Sequence, residues 1–139
     1  MSKRRTFLFQ KLARDKILDK MMASGDDVVY HILEPEAFEQ AVRDKIVEEA
    51  IELQKAEAHE IDEELADVRE LLDLLAELRG QTEQVLRDRV TRKRDKRGGF
   101  EAHIYISQVT TEADGKWITY LASHSDQYPE VLGSTATEA

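Results

Sequence analysis

Apolar side chains recur at intervals of three and four residues along much of the chain, which is the spacing that gathers them on one side of a helix. The clearest run passes through Ile61, Leu65, Val68 and Leu72, and Gly80 then supplies a C-terminal cap. This run predicts an amphipathic helix that begins near Ile61 and ends at Gly80.

Three further segments are predicted to be helical. Residues 11–23 carry an apolar stripe and end at "SGDD". A second helix runs from Pro35 to about residue 57, because the first turn of a helix tolerates proline. A third covers about residues 82–96 and ends at a pair of glycines. Together with the first helix, these segments predict a mainly α protein.

Short β-strands are expected toward both ends of the chain. Residues 28–33, 100–110 and 116–124 are rich in β-branched and aromatic residues, and "EADGK" separates the last two as a turn. The two central helices are separated only by "AHEID", and so short a connection makes them antiparallel. The expected fold is therefore a helical bundle built on an antiparallel helix hairpin, with short terminal β-strands.

Composition limits the class of protein. The 139 residues suit one domain, predicted over residues 1–131, with a flexible tail over 132–139. The chain has no cysteine, which excludes disulfides, thiolate metal sites and a cysteine nucleophile. No apolar run approaches the roughly 18 residues of a membrane span, and the N-terminus lacks the apolar stretch of a secretory signal. We therefore expect a cytoplasmic protein with no membrane partner.

Charge is concentrated in one part of the chain. Residues 34–77 hold 16 acidic and 4 basic residues, a balance of −12 within a total net charge of −9. Such acidity disfavours a stable nucleic-acid complex, because nonspecific binding depends on basic residues that neutralise phosphates. It is better suited to phosphate chemistry assisted by a cation.

Four acids of the two central helices have a spacing that suits a metal site. Glu49 and Glu52 are three residues apart, as are Glu64 and Asp67, so each pair lies on one side of its helix. An antiparallel hairpin brings the two pairs opposite each other and makes a cage of four carboxylates. Mg²⁺, or alternatively Mn²⁺, prefers such oxygen ligands. The alternative is that these acids belong to solvent-exposed helix faces.

Three motifs in order resemble a known enzyme superfamily. Glu48-Glu49-x-x-Glu52 followed by Glu64-x-x-Asp67 resembles the signature of the all-α nucleoside triphosphate pyrophosphohydrolases, the MazG-like superfamily. "KLARDKI", residues 11–17, and "RKRDKRGGFE", residues 92–101, resemble the opening and closing motifs of its phosphoribosyl-ATP pyrophosphohydrolase-like branch. The resemblance spans most of residues 9–106.

The resemblance implies a function and a set of site residues. The implied activity is Mg²⁺-dependent hydrolysis of a nucleoside triphosphate to a monophosphate and pyrophosphate, as in a house-cleaning enzyme. The implied metal ligands are Glu49, Glu52, Glu64 and Asp67, with Glu48 in a supporting or base role and Glu49 also catalytic. The implied phosphate-binding residues are Lys11, Arg14, Lys16, Arg94 and Arg97, although basic residues at the end of a helix also complement its dipole.

Two alternative functions stay open. The helices can form a noncatalytic module that binds a nucleotide or a protein, or the substrate can be the phosphoribosyl-ATP of histidine biosynthesis. The central helices also carry apolar residues on more than one face, and members of the resembled family are commonly oligomers. We therefore expect a homodimer or a higher homo-oligomer with helices at the interface. The apolar residues concerned are Ile51, Leu53, Leu71, Leu74 and Leu78.

Overall fold

The computed structural model describes residues 3–133, and within that range the protein is mainly helical. The helices are α1 (Asp15–Ala23), α2 (Pro35–Lys55), α3 (Ile61–Leu78), α4 (Glu83–Arg97) and α5 (Ile118–Ser123). The chain divides into two compact units, Met1–Arg97 with the first four helices and Gly98–Ala139 with the fifth. The predicted single domain over 1–131 stays a prediction, and most of the predicted tail over 132–139 lies outside the described residues.

Helices α2 and α3 pack against each other, and no other pair of helices does so within residues 3–133. Val42 of α2 is fully buried, and Ile46 of α2 and Leu71 and Leu74 of α3 are half-buried. Glu39, near the start of α2, forms a 3.4 Å ion pair with Arg79, which follows the end of α3. The two helices therefore run in opposite directions, as the short connection predicted.

The ends of α3 follow from its sequence. Its first turn holds three acids, which interact favourably with the positive end of the helix dipole. Its last turn is closed where Gly80 adopts a positive φ of 65°, a conformation that costs glycine little. The N–H groups of Gly80 and Gln81 donate to the carbonyls of Glu77 and Ala76, which satisfies the helix end. The capping role predicted for Gly80 is thus confirmed.

The start of α1 differs from the prediction of a helix over residues 11–23. The helix begins at Asp15, and Arg14 before it has an extended backbone, with φ −65° and ψ 143°. Residues 11–14 therefore lie outside the helix, and we call them the extended segment after the backbone of Arg14. From this segment Lys11 forms an ion pair with Glu48 of α2, and Arg14 forms one with Asp67 of α3. These tertiary contacts outweigh the helical pattern of the sequence.

The predicted strands are absent from residues 3–133. Residues 28–33 and 103–112 have no regular structure, and residues 118–123 form a helix where a strand was expected. A strand requires a paired neighbour, and residues 3–133 supply none. In α5 the rings of Tyr120 and His124 lie 4.4 Å apart, a contact between residues four apart that a helix provides and a strand does not.

No helix among the described residues combines the length and apolar character needed to cross a membrane.

Candidate metal centre

Carboxylates from two helices converge near the loop that joins α2 and α3. Oxygen atoms of Glu49 on α2 and of Glu64 and Asp67 on α3 all lie within 4.8 Å of one another. Glu52 belongs to a second group of this kind, with Glu48 and Glu49. The four acids that the sequence paired by spacing are therefore brought together, and we refer to Glu49, Glu52, Glu64 and Asp67 as the acidic cluster.

Two oxygens of the acidic cluster are buried without a hydrogen-bond partner. They are Oε2 of Glu49 and Oε2 of Glu64, one from each helix. Only 13% of the Glu49 side chain is exposed, and its nearest cation is Lys45, with Nζ 3.6 Å from Oε1. Buried carboxylate oxygens normally accept hydrogen bonds or contact a cation, so a cation beside these two oxygens would stabilise them.

The cluster disfavours its own ionisation. Burial raises the pKa of Glu49, the adjacent Glu52 carboxyl raises it further, and Lys45 only partly opposes the change. Burial is also the largest cause of the raised pKa of Glu64, followed by the negative charges of Asp67 and Glu49. Like charges gathered in a partly buried place repel, and protonation is the response when no cation is bound.

The donor set fits a hard divalent cation. Every candidate ligand atom is a carboxylate oxygen, and neither a histidine nor a sulfur atom belongs to either group. Mg²⁺ takes a few such oxygens and completes its shell with water or phosphate oxygens, and Mn²⁺ accepts the same ligands. Glu49 and Glu64 stand on different helices, and carboxylate oxygens of the two lie within 4.8 Å of each other, where one such ion would contact both side chains.

Glu48 has surroundings unlike those of the acidic cluster. Its Oε1 accepts hydrogen bonds from Lys11 Nζ at 3.2 Å and from Lys45 Nζ at 3.1 Å. Partial burial alone would raise the pKa of Glu48, but the hydrogen bonds from Lys45 and Lys11 outweigh it and lower that pKa. A carboxylate stabilised in its charged form is a weak proton acceptor, so these contacts favour a supporting role over a base role.

Arg14 reaches the acidic cluster from the extended segment before α1. Its Nη2 donates to Asp67 Oδ1 at 3.1 Å, and its Nη1 lies 2.8 Å from Glu70 Oε2. The hydrogen bond and charge of Glu70 are the main reasons that the pKa of Arg14 is raised. One of the predicted metal ligands is therefore held by one of the predicted phosphate-binding residues.

The other predicted phosphate-binding residues lie in different places. Lys11 is beside Glu48, and Lys16 is exposed on α1. Arg94 and Arg97 are on α4, which packs against no other helix within residues 3–133. The structure thus brings Lys11 and Arg14 to the acids and does not bring α4 against them.

Two residues that the sequence analysis did not single out take part in the site. Lys45 contacts both Glu48 and Glu49, and Glu70 holds Arg14. Their spacing in the sequence carried a signal, since Lys45 precedes Glu49 by four residues and Glu70 follows Asp67 by three. The partner of Glu70 was not foreseeable, because Arg14 is 56 residues away.

The raised pKa values predict how the stability of the metal-free protein depends on pH. A carboxyl with a raised folded pKa stabilises the fold fully below its unfolded value, ordinarily 4.5, and loses that contribution as pH rises through the folded pKa. Glu49→Gln should therefore raise the melting temperature at pH 8 by about 3–4 °C, the shift that ~1 kcal/mol produces in a chain of 139 residues. The difference from wild type should shrink toward pH 4.5.

Thermal unfolding followed by circular dichroism in EDTA measures this difference across pH 4.5–8. Glu63→Gln is the matched control, since Glu63 is exposed on α3 and lies outside both acid groups. A Glu49→Gln variant that is less stable than wild type at pH 8 would contradict the repulsion inferred for the cluster.

No protein-family model, curated protein or solved structure matches this chain.

Proposed function

We propose that this protein is a Mg²⁺-dependent nucleoside triphosphate pyrophosphohydrolase of the all-α, MazG-like type. The observation that carries the proposal is the pair of buried, unpartnered carboxylate oxygens of Glu49 and Glu64 within the acidic cluster. Two helices of a small domain hold these oxygens together although their mutual repulsion opposes folding. A bound cation is the simplest chemical reason for such an arrangement.

In the proposed enzyme, Glu49, Glu52, Glu64 and Asp67 hold the metal ion. Bound Mg²⁺ would neutralise charge that develops on the phosphate oxygens and would acidify the attacking water. Lys45 fixes Glu49 from the side, with its ammonium group 3.6 Å from Oε1. Glu48 keeps Lys45 and Lys11 in place through its two hydrogen bonds.

Lys11 and Arg14 bind the substrate phosphates in this proposal. Both are cations of the extended segment before α1, and both lie at the edge of the acidic cluster. Arg14 suits phosphate oxygens because its planar fork donates two parallel hydrogen bonds. For this role its guanidinium would release Asp67, one of the residues that would hold the metal ion, and would donate to a phosphate oxygen instead.

The proposed reaction breaks the bond between the α and β phosphates. Water attacks the α phosphorus, pyrophosphate leaves, and the nucleoside monophosphate keeps the new oxygen. Incubation with a panel of nucleoside triphosphates in ¹⁸O-labelled water should release pyrophosphate and place the label in the monophosphate. EDTA should abolish the rate, and Mg²⁺ or Mn²⁺ should restore it.

Other outcomes of this experiment would change the assignment. Release of orthophosphate with a diphosphate left behind would show that the wrong bond was chosen. Calorimetric binding of Mn²⁺ without turnover of any substrate in the panel would favour a noncatalytic nucleotide-binding module. Absence of divalent cation binding at millimolar concentration would remove the basis of the proposal.

We also propose that the protein acts as a homodimer or a larger homo-oligomer. Val42 is the one fully buried apolar residue in the described part of the chain. Val47 and Ile51 of α2 are exposed, as are Leu65 and Leu72 of α3. A pair of helices with so much uncovered apolar surface is stabilised by a further layer of helices.

A further inference from the structure

Helix α4 is a charged helix that lies beside the second half of α3 without packing closely against it. Every residue from Thr82 to Phe100 is exposed, and no other helix within residues 3–133 packs against α4. An isolated helix of 15 residues is marginally stable in water, since most helical stability in proteins comes from packing. The apolar residues Leu86 and Val90 lie four apart on this helix, are 37% and 57% exposed, and lack a complete apolar cover. The helix therefore needs a partner that supplies one.

A groove of about 780 Å³ lies between α4 and the second half of α3. Its floor is apolar and includes Leu72 and Leu75 from α3 and Leu86 and Val90 from α4. Its rim is basic and is formed by Arg79, Arg89, Arg92, Lys93, Lys96 and Arg97. We call this feature the α3–α4 groove. The combination of an apolar floor and a basic rim fits an amphipathic helix whose polar side is acidic.

The groove is too open to enclose a small ligand. Leu72 is 47% exposed and Val90 is 57% exposed, although both belong to the floor. Pockets for small molecules cover most of the surface of their ligand, which requires deeper walls. A helix laid along the groove would cover both side chains at once.

A second copy of this chain carries a helix with the required character. Helix α3 has seven acidic residues and one basic residue, a balance of −6, whereas α4 has seven basic and three acidic residues, a balance of +4. Ile61, Leu65 and Leu72 of α3 are exposed and lie on one side of the helix at spacings of four and seven residues. Asp62 and Asp73 flank this stripe, so one helix offers both an apolar stripe and acids beside it.

The stripe on α3 is continuous with the floor of the groove, because Leu72 belongs to both. A two-fold arrangement can therefore place α3 of each copy in the groove of the other, with the same contacts made twice. We propose that the α3–α4 groove is the surface through which two copies of this chain associate, each groove receiving the acidic α3 of the other copy. The inference rests on the homo-oligomer proposed above and adds its surface, and it does not depend on the proposed activity.

Charge reversal on either side of the interface tests the proposal. The α4 variant combines Arg89→Glu with Lys93→Glu, and the α3 variant combines Asp62→Lys with Asp73→Lys. Wild type should have a mass near twice the 16.0 kDa of the chain in light scattering at micromolar concentration. Each variant alone should associate at least about 100-fold more weakly, because like charges then face each other across the interface.

Mixing the two variants supplies the decisive measurement. In the mixed dimer the introduced glutamates of one copy face the introduced lysines of the other, and the second groove keeps its wild-type charges, so an equimolar mixture should regain the mass of a dimer. This rescue also shows that both variants are folded, as far-UV circular dichroism should confirm. Lys20→Glu with Arg43→Glu is the matched control, with the same charge change placed on α1 and α2, and it should associate as wild type does.

Three results would overturn the proposal. They are a wild-type mass near 16 kDa throughout the micromolar range, undiminished association of either variant alone, and failure of the mixture to form dimers. Sedimentation of the wild type at increasing salt gives a second measurement. The dissociation constant of the wild-type dimer should rise with salt, because screening weakens the contact between the basic rim and the acidic helix. A dissociation constant unaffected by salt would count against this interface.

Discussion

In the Glu52→Gln variant, pyrophosphate release should fall by at least about 100-fold while the metal-free protein stays as stable as wild type. Loss of one group that acts on the reacting centre typically reduces the rate by about 10²–10³-fold. Glu52 lies close to the carboxyls of Glu49 and Glu64, so the amide removes one charge from a repulsive group. Steady-state kinetics at saturating Mg²⁺ and thermal unfolding in EDTA measure the two effects.

Glu63→Gln is the matched control for this variant. It makes the same chemical change one residue before Glu64, on an exposed side chain outside both acid groups, and should leave the rate within about twofold of wild type. If Glu52→Gln unfolded the protein, yet its folded fraction kept the specific activity of wild type, the acid would be structural. The assignment of a metal site would then be wrong.

The Arg14→Gln variant should bind Mn²⁺ more tightly and turn over substrate more slowly. Arg14 holds Asp67 and Glu70 in exposed ion pairs, and release of two such pairs should raise the affinity for Mn²⁺ about two- to fivefold. The same change removes a charged hydrogen bond to phosphate of about 1.5–3 kcal/mol, which lowers kcat/KM about 10- to 100-fold. Calorimetry of the metal-free protein and steady-state kinetics give the two values.

Arg4→Gln is the matched control for Arg14→Gln. Arg4 forms a 2.9 Å ion pair with Asp27, away from the acidic cluster, so its loss should change neither value. An unchanged affinity for Mn²⁺ in Arg14→Gln would show that Arg14 does not compete with the metal ion. An unchanged kcat/KM would show that it does not bind phosphate.

The spacing of residues predicted the helices and caps that depend on local contacts. The periodic run from Ile61 and the glycine at position 80 predicted α3 to within two residues, because helix periodicity and glycine caps are properties of the segment itself. The short link between α2 and α3 likewise predicted their direction, and with it the meeting of Glu49, Glu64 and Asp67. These parts of the fold and of the candidate site follow from residues that are near in sequence or joined by a short loop.

The strand predictions were wrong because they depended on pairing partners that the local sequence does not specify. A strand is stabilised by its neighbour, so the β-branched and aromatic composition of residues 116–124 shows only that a sheet would accept them. No paired strand is present within residues 3–133, and Tyr120 instead contacts His124 and Tyr128. Composition alone cannot supply the missing partner.

The sequence by itself therefore determined α2, α3 and α4, their order, the direction of α2 against α3, and the meeting of Glu49 with Glu64 and Asp67 across that pair. Only the tertiary structure decided which of these acids is buried without a partner, which is held by a lysine, and which is held by Arg14. Burial and long-range ion pairs depend on residues as far apart as 56 positions, and no periodicity encodes such a contact. The same holds for α4, whose basic character is plain in the sequence but whose lack of close packing against α2 and α3 depends on its position in space.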